Sequence, residues 1–277
     1  MFELPEVVTL ARQLSNSVVG QTVADVVLTE PRPKFLFVTP KPGSAFRAAL
    51  IGREIRCSRS AGKWLFLDLS DGKTLLIGEF GGRLLHTHAG SETPTKQHLA
   101  IALDDESSLS LTIQMWGFVG ALSPDELRDH PYAGRLGPEP LSDAFSETAF
   151  NRILDNHAGG DNEPIKAFLT HEANVCGIGN GYLQDILFRA RLSPRRRVAD
   201  IARDERAALH EAVQKTMSEA IALEGRDTEV TLYGKHGRYT PILDKRTVGI
   251  PCPVCSTPIK KTQYLGGSCY LCPTCQT

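Results

Sequence analysis

The residues with the most specific chemical signature stand at the end of the chain. Cys252-Pro-Val-Cys255 and Cys272-Pro-Thr-Cys275 are two C-x2-C knuckles. The stretch between Cys255 and Cys272 is the span a β-hairpin needs to bring four thiolates around one tetrahedral ion. The spacing predicts one structural Zn2+ ion in a ribbon, with Cys252, Cys255, Cys272 and Cys275 as ligands. Cys269-x2-Cys272 is also a legal knuckle, so Cys269 is read as a free thiol on the hairpin, with exchange as a ligand as the other option. Five of the seven cysteines fall from Cys252 onward while Cys57 and Cys176 sit apart, a clustering that means metal rather than disulfides. A ribbon alone does not define a function, since ribbons serve nucleic-acid and protein contacts alike.

Two further segments hold chemistry-bearing residues. Val175-Cys176-Gly177-Ile178-Gly179-Asn180 joins an apolar helical run at Ile165–Leu169 to another over 180–190. Its glycines allow close backbone approach, and amides at the second helix's start suit a phosphate; glycines ending one helix and Asn180 capping the next read equally well locally. Met1-Phe2-Glu3-Leu4-Pro5-Glu6 puts an α-amine and a carboxylate two residues apart, just ahead of a helix whose dipole favours negative charge. Taken alone, that segment is a charged tail.

The elements that must position these residues follow from periodicity. Val7, Leu10, Ala11, Leu14 and Val18 recur at helical spacing after Pro5, and Gly20 supplies a stop. Trp64–Leu69, Thr74–Ile77, His98–Leu103 and Leu109–Met115 are short apolar runs between turn-forming segments, the pattern of an antiparallel β-sandwich. Beyond the proline-rich stretch Leu136–Leu141 the period turns helical, with Leu209, Val213, Met217 and Ile221 on one face of a long helix ending at Gly225. The expected fold is α+β: a domain over 1–130, a helical domain over 131–225, and a loop plus ribbon over 226–277.

With 41% hydrophobic and 23% charged residues and a formal charge of -1, the chain is globular and not coated in positive potential, so any nucleic-acid contact is local. Residues 150–277 carry 17 Lys and Arg against 14 Asp and Glu, which leaves the net negative charge on the first half. No apolar run approaches the roughly 18 residues of a membrane span, and no basic region leads into an apolar stretch at the start. A cytoplasmic protein, nucleoid-associated if bacterial, and a monomer is the expectation.

Taken together, Glu3-Leu4-Pro5-Glu6-Val7, Gly62-Lys63-Trp64-Leu65, Gly82-Arg83-Leu84, Leu136–Leu141, Ile165-Lys166, Gly177-Ile178-Gly179-Asn180 with Tyr182, Leu187-Phe188-Arg189-Ala190 and both cysteine knuckles give a chain that resembles the formamidopyrimidine-DNA glycosylase and endonuclease VIII family. The resemblance implies an N-terminal helix and β-sandwich, a helix-two-turn-helix domain and a zinc finger, acting on double-stranded DNA that contains a lesion or abasic site. It implies that Glu3 is the general acid/base at the lesion sugar, and that Lys63 and Asn180, with the Gly179 turn, hold phosphates flanking an everted nucleotide. Lys166 shapes the same site.

Three positions depart from the family pattern. Phe2 stands where the family has the proline whose secondary amine is the nucleophile, so a primary amine on Met1, or Lys63, is the substitute and strand cleavage is in question. Phe80 and Gln114–Trp116 occupy the stretches that usually carry the residues filling the gap left by an extruded base; Phe80 and Trp116 are read either as candidate wedges or, the commoner outcome, as buried aromatics of the sandwich core. Gly267 stands where the hairpin usually carries a DNA-contacting Arg. The leading functional reading is a DNA repair glycosylase in which Glu3 catalyses N-glycosidic hydrolysis; the alternatives are a non-catalytic binder of damaged or abasic DNA and, further off, a ribbon module for RNA or protein.

Overall fold

A computed structural model of the chain describes residues 1–29, 33–160 and 162–277. It divides into two compact units, Met1–Arg135 with Glu224–Arg238, and Leu136–Leu223 with Tyr239–Thr277. The sequence-based division differs in two respects: the first boundary lies a few residues later, and the stretch from 226 onward is shared between both units instead of standing alone.

The first unit opens with α1 (Leu4–Ser17). Pro5 fits its first turn, and the backbone N–H of Glu3 donates to the Glu6 carboxylate at 2.9 Å, half of a capping box. Val7, Leu10, Leu14 and Val18 bury one face. There follow β1 (Val23–Leu28), β2 (Leu36–Thr39), α2 (Gly43–Leu50), β3 (Ile55–Ala61), β4 (Trp64–Leu69), β5 (Thr74–Gly78), β6 (Gly82–Thr87), β7 (Leu99–Leu103), β8 (Ser108–Ile113), β9 (Gly117–Leu122) and α3 (Pro124–Arg128). One sheet runs β1-β7-β8-β6 and the other β2-β9-β5-β4-β3; the β2–β9 pair is parallel and the other pairs antiparallel. Leu99, Ile101 and Leu103 of β7 alternate inward at the strand period and share a core with Leu65, Leu67, Leu75 and Ile77 from the opposite sheet. That common core makes the pair a sandwich. Leu232, from the returning segment, is buried in it as well.

The second unit holds α4 (Glu147–Asn156), α5 (Ile165–Thr170), α6 (Asn180–Arg189) and α7 (Arg203–Ala222), followed by the hairpin β10 (Lys260–Tyr264) and β11 (Gly267–Leu271). Leu209, Val213 and Met217 of α7 are fully buried as their spacing predicts, and Ala220 instead of the half-buried Ile221 completes the stripe. Among the described residues no helix is long and apolar enough to cross a membrane.

A single carboxylate fastens the path toward the hairpin. Asp185 of α6, fully buried, accepts from the Tyr239 hydroxyl at 2.7 Å, from Ile242 N–H at 2.9 Å and from Leu243 N–H at 2.9 Å. Burial outweighs these three donors and pushes its carboxyl up from 3.8 to about 6. Asp185→Asn places an NH2 group where only acceptors fit, and is predicted to cost about 2–3 kcal/mol in urea unfolding. Because the folded-state value is raised, this carboxyl's titration favours folding most below pH 4, and the benefit is lost as pH rises through about 6. The margin of wild type over Asp185→Asn therefore narrows between those limits.

Candidate catalytic cluster and metal centre

The first unit brings the N-terminus against a segment that returns from late in the sequence. Gly225, at φ +90°, turns the chain, and a Cβ there would come within 2.9 Å of the Glu6 carboxylate, so only glycine permits the approach. Arg226 then enters a group of acids. Its backbone N–H and Nε donate to Glu6 Oε1 at 3.0 and 3.3 Å, and its Nη1 lies 3.6 Å from Glu3 Oε1. Its Nη2 donates to the Met1 carbonyl at 2.7 Å and lies 3.4 Å from Glu229 Oε1. The α-ammonium of Met1 stands 3.6 Å from the same Glu229 oxygen. Glu3 and Glu6 are each 3% exposed. Among these five groups three carboxylates face two cations. Burial, opposed by the Met1 ammonium and Arg226, pushes the Glu229 carboxyl above its ordinary value.

Phe2 holds Met1 in place. Its N–H donates to the Phe80 carbonyl at 3.0 Å, and its ring meets the Phe80 ring edge-on at 4.7 Å. Phe80 is thus a core residue, 1% exposed; of the two roles the sequence left open, its burial against Phe2 fits the core one and not the wedge. Gln114 and Trp116 fare differently. Both are exposed on the turn between β8 and β9, and Trp116 stacks on Phe37 at 5.7 Å and leans on Phe35 at 5.1 Å, all three rings about half exposed. Lys63 occupies the tight turn joining β3 to β4, after Gly62 at φ +56°, with its side chain buried.

In the second unit Lys166, Gly179 and Asn180 gather at the β10–β11 hairpin. Gly179 is the N-cap of α6, and Asn180 its first helical residue. Lys166 Nζ donates to the Tyr264 carbonyl at 2.6 Å and to Cys269 Sγ at 3.3 Å; Asn180 Nδ2 donates to the Ser268 carbonyl at 3.0 Å. A Cβ on Gly267 would sit 3.4 Å from Lys166 Nζ and 3.6 Å from Asn180 Oδ1, so the glycine opens the hairpin tip toward both. Cys269 is wholly buried against Lys166 and takes no part in the cysteine cluster.

The four knuckle sulfurs lie within 4.8 Å of one another, with Cys252–Cys275 at 3.9 Å and Cys255–Cys272 at 3.4 Å. A tetrahedral thiolate site with metal–sulfur bonds of about 2.3 Å has sulfur–sulfur edges near 3.8 Å. The group could hold a metal ion.

A helix-led β-sandwich with a second, helical unit ending in a four-cysteine hairpin defines a class of two-unit helix-two-turn-helix proteins with a terminal metal ribbon. Residues 1–114 match the formamidopyrimidine-DNA glycosylase N-terminal domain, and residues 136–231 the formamidopyrimidine-DNA glycosylase H2TH domain. The formamidopyrimidine-DNA glycosylase of Chloroflexus aggregans is 34% identical over all of this chain and 98% of its own length, and that of Geobacillus kaustophilus 32% identical over the full length of both. The crystal structure of the MutM (Fpg) protein from Thermus thermophilus superposes with a TM-score of 0.85 at 30% identity, covering 99% of this chain and 98% of that one. The Lactococcus lactis Fpg in complex with abasic-site DNA shares the fold at a TM-score of 0.86 and 23% identity, over 99% of each chain. The chain belongs to the formamidopyrimidine-DNA glycosylase family.

Spacing located the four cysteines and the family resemblance pointed to Glu3 and Met1, but neither pointed to Arg226, Glu229 or the aromatic residues Phe35 and Phe37. Removing Arg226 leaves buried carboxylates without their shared cation. Arg226→Met is predicted to lose about 3–5 kcal/mol at neutral pH by denaturant titration.

Proposed function

We propose that this chain is a DNA repair glycosylase that binds lesion-bearing duplex DNA and cleaves the N-glycosidic bond of a damaged base. Glu3 is the carboxylate that acts at the lesion sugar, and the observation that carries the reading is its burial beside Arg226, two residues from an α-amine fixed in the same cluster. A buried, oriented carboxylate activates water or assists departure of the base without a covalent intermediate. The Met1 amine is then placed to capture the aldehyde of the abasic product as an imine, the step that precedes strand cleavage.

The lesion must leave the base stack for Glu3 to reach its sugar. Lys63 holds phosphate on the first unit; Lys166, Asn180 and the Gly179 turn do so on the second. Exposed Trp116, backed by Phe35 and Phe37, offers an apolar face to fill the vacated stack beside Gln114. The Lactococcus lactis family members solved with abasic-site and Fapy-dG DNA support this choice of substrate class. The all-thiolate set selects zinc among abundant divalent ions, and the ion's contribution is to lock the hairpin that Lys166 and Asn180 grip.

Phe2 and Gly267 favour a second reading, a protein that binds damaged or abasic DNA without cutting it. The two separate on duplexes carrying an oxidised purine. Under the glycosylase reading, Glu3→Gln lowers base release about 10²–10⁴-fold with lesion binding retained; wild-type protein that binds the lesion tightly yet releases no base establishes the second. Metal analysis should find about one zinc per chain, and stripping it with a thiol-reactive mercurial should weaken duplex binding while leaving the first unit's unfolding transition in place.

A further inference from the structure

The cluster around the N-terminus contains an acid that no part of the proposed reaction yet uses. Glu229 comes from the returning segment of the first unit, and its Oε1 is 3.6 Å from the Met1 nitrogen. Its side chain is 17% exposed and that of Met1 37%, so both residues reach the edge of the buried cluster. Arg226 holds both ends of the arrangement, through Nη2 to the Met1 carbonyl and to the same Glu229 oxygen. The charged groups facing Glu229 are the Met1 ammonium, Arg226 and Glu6, with Glu3 across the guanidinium. Glu3 and Glu6 are engaged with Arg226, and Glu6 also accepts the backbone N–H groups of Glu3 and Arg226. Glu229 is the acid that pairs with the amine itself.

An ammonium has no lone pair and cannot attack a carbonyl. We infer that Glu229 is the proton acceptor that frees the Met1 amine, and the proton donor that completes its condensation with an abasic-site aldehyde. This rests on the reading of Met1 as the nucleophile. Glu229 takes one proton from the Met1 ammonium, and the freed lone pair forms a C–N bond to C1′ as the carbonyl π pair moves to oxygen. After a second proton leaves nitrogen for that oxygen, the protonated Glu229 returns the first proton to the hydroxyl, which departs as water. The products are the protonated imine, which keeps the third proton and the positive charge of the ammonium, and one water molecule, with Glu229 again a carboxylate. Burial favours the uncharged form of Glu229, which makes it a better donor to the departing hydroxyl than a solvated glutamate.

The test is borohydride trapping on an abasic-site duplex by full-length protein, with intact-mass analysis of the N-terminus, over a range from about pH 6.5 to about 9. Glu229→Gln should trap at a rate lowered about 10–100-fold near neutrality, the deficit closing toward pH 9 where hydroxide replaces the missing base, with duplex affinity retained. Glu229→Asp should recover part of the neutral-pH rate; it carries the test if the Gln variant does not fold. Trapping by Glu229→Gln at the wild-type rate, or a deficit equal at every pH, overturns the assignment and leaves the glycosylase reading standing. Wild-type protein that releases a damaged base but never traps overturns both Glu229 and Met1 as a pair, again without touching Glu3. Wild-type protein that neither traps nor releases base removes the proposed function along with this inference.

Discussion

The guanidinium of Arg226 is the contact on which the N-terminal architecture rests. Three carboxylates converge there from two ends of the chain, and none of Glu3, Glu6 and Glu229 could be taken out of water without a partner of opposite charge. Arg is suited to the role because its planar fork presents several donors at fixed angles. Here the fork reaches the Met1 carbonyl and acids on two elements at once. A chain terminus ordinarily frays; this one is held by a buried cation. The positive end of the α1 dipole adds a smaller attraction for Glu3 and Glu6.

Phe2 and Phe80 pack as one unit. An aromatic residue at position 2 needs an apolar seat, and Phe80 supplies it with an edge-on ring contact as well as a backbone acceptor. Full burial of a phenylalanine side chain stabilises by roughly 1.5–3 kcal/mol, enough to order a terminus that would otherwise cost conformational entropy to fix. The same seat removes Phe80 from the surface. Exposed apolar area appears instead at Trp116, whose neighbours Phe35 and Phe37 also stay open to solvent. The sandwich thus keeps one aromatic pair for its own terminus and leaves the other aromatic group outward.

At the hairpin of the second unit, the absence of a side chain at Gly267 has a similar counterpart. Lys166 and Asn180 lie within ordinary contact distance of where a Cβ would stand. The ammonium is tied by the Tyr264 carbonyl and the Cys269 sulfur, so a positive charge remains at the hairpin tip without being carried by the hairpin. The thiol of Cys269 is an acceptor for that lysine, which explains why a fifth cysteine can lie so near the four clustered ones and stand outside their group.

The parts legible in the sequence are those whose physics is local. Helical spacing from Val7 to Val18, the short apolar runs between turns that became β4, β5, β7 and β8, and two knuckles at ribbon spacing each state their structure within a short window. Strands such as β3, reading Ile-Arg-Cys-Ser-Arg-Ser-Ala, do not, because their solvent face dilutes the apolar signal. Arg226 and Glu229 were hidden for a different reason: their meaning depends on closing a loop that spans most of the chain, which no local pattern encodes. A trace of it was nevertheless present. Glu3 and Glu6 flank the start of an apolar helix and share its first turn, so the helix cannot be buried from its first residue without burying them, and no Lys or Arg lies between Met1 and Arg12 to compensate. A cation from a distant segment was therefore required. A loop beginning Glu-Gly-Arg, with a glycine able to turn sharply into the acids, is where such a cation can enter.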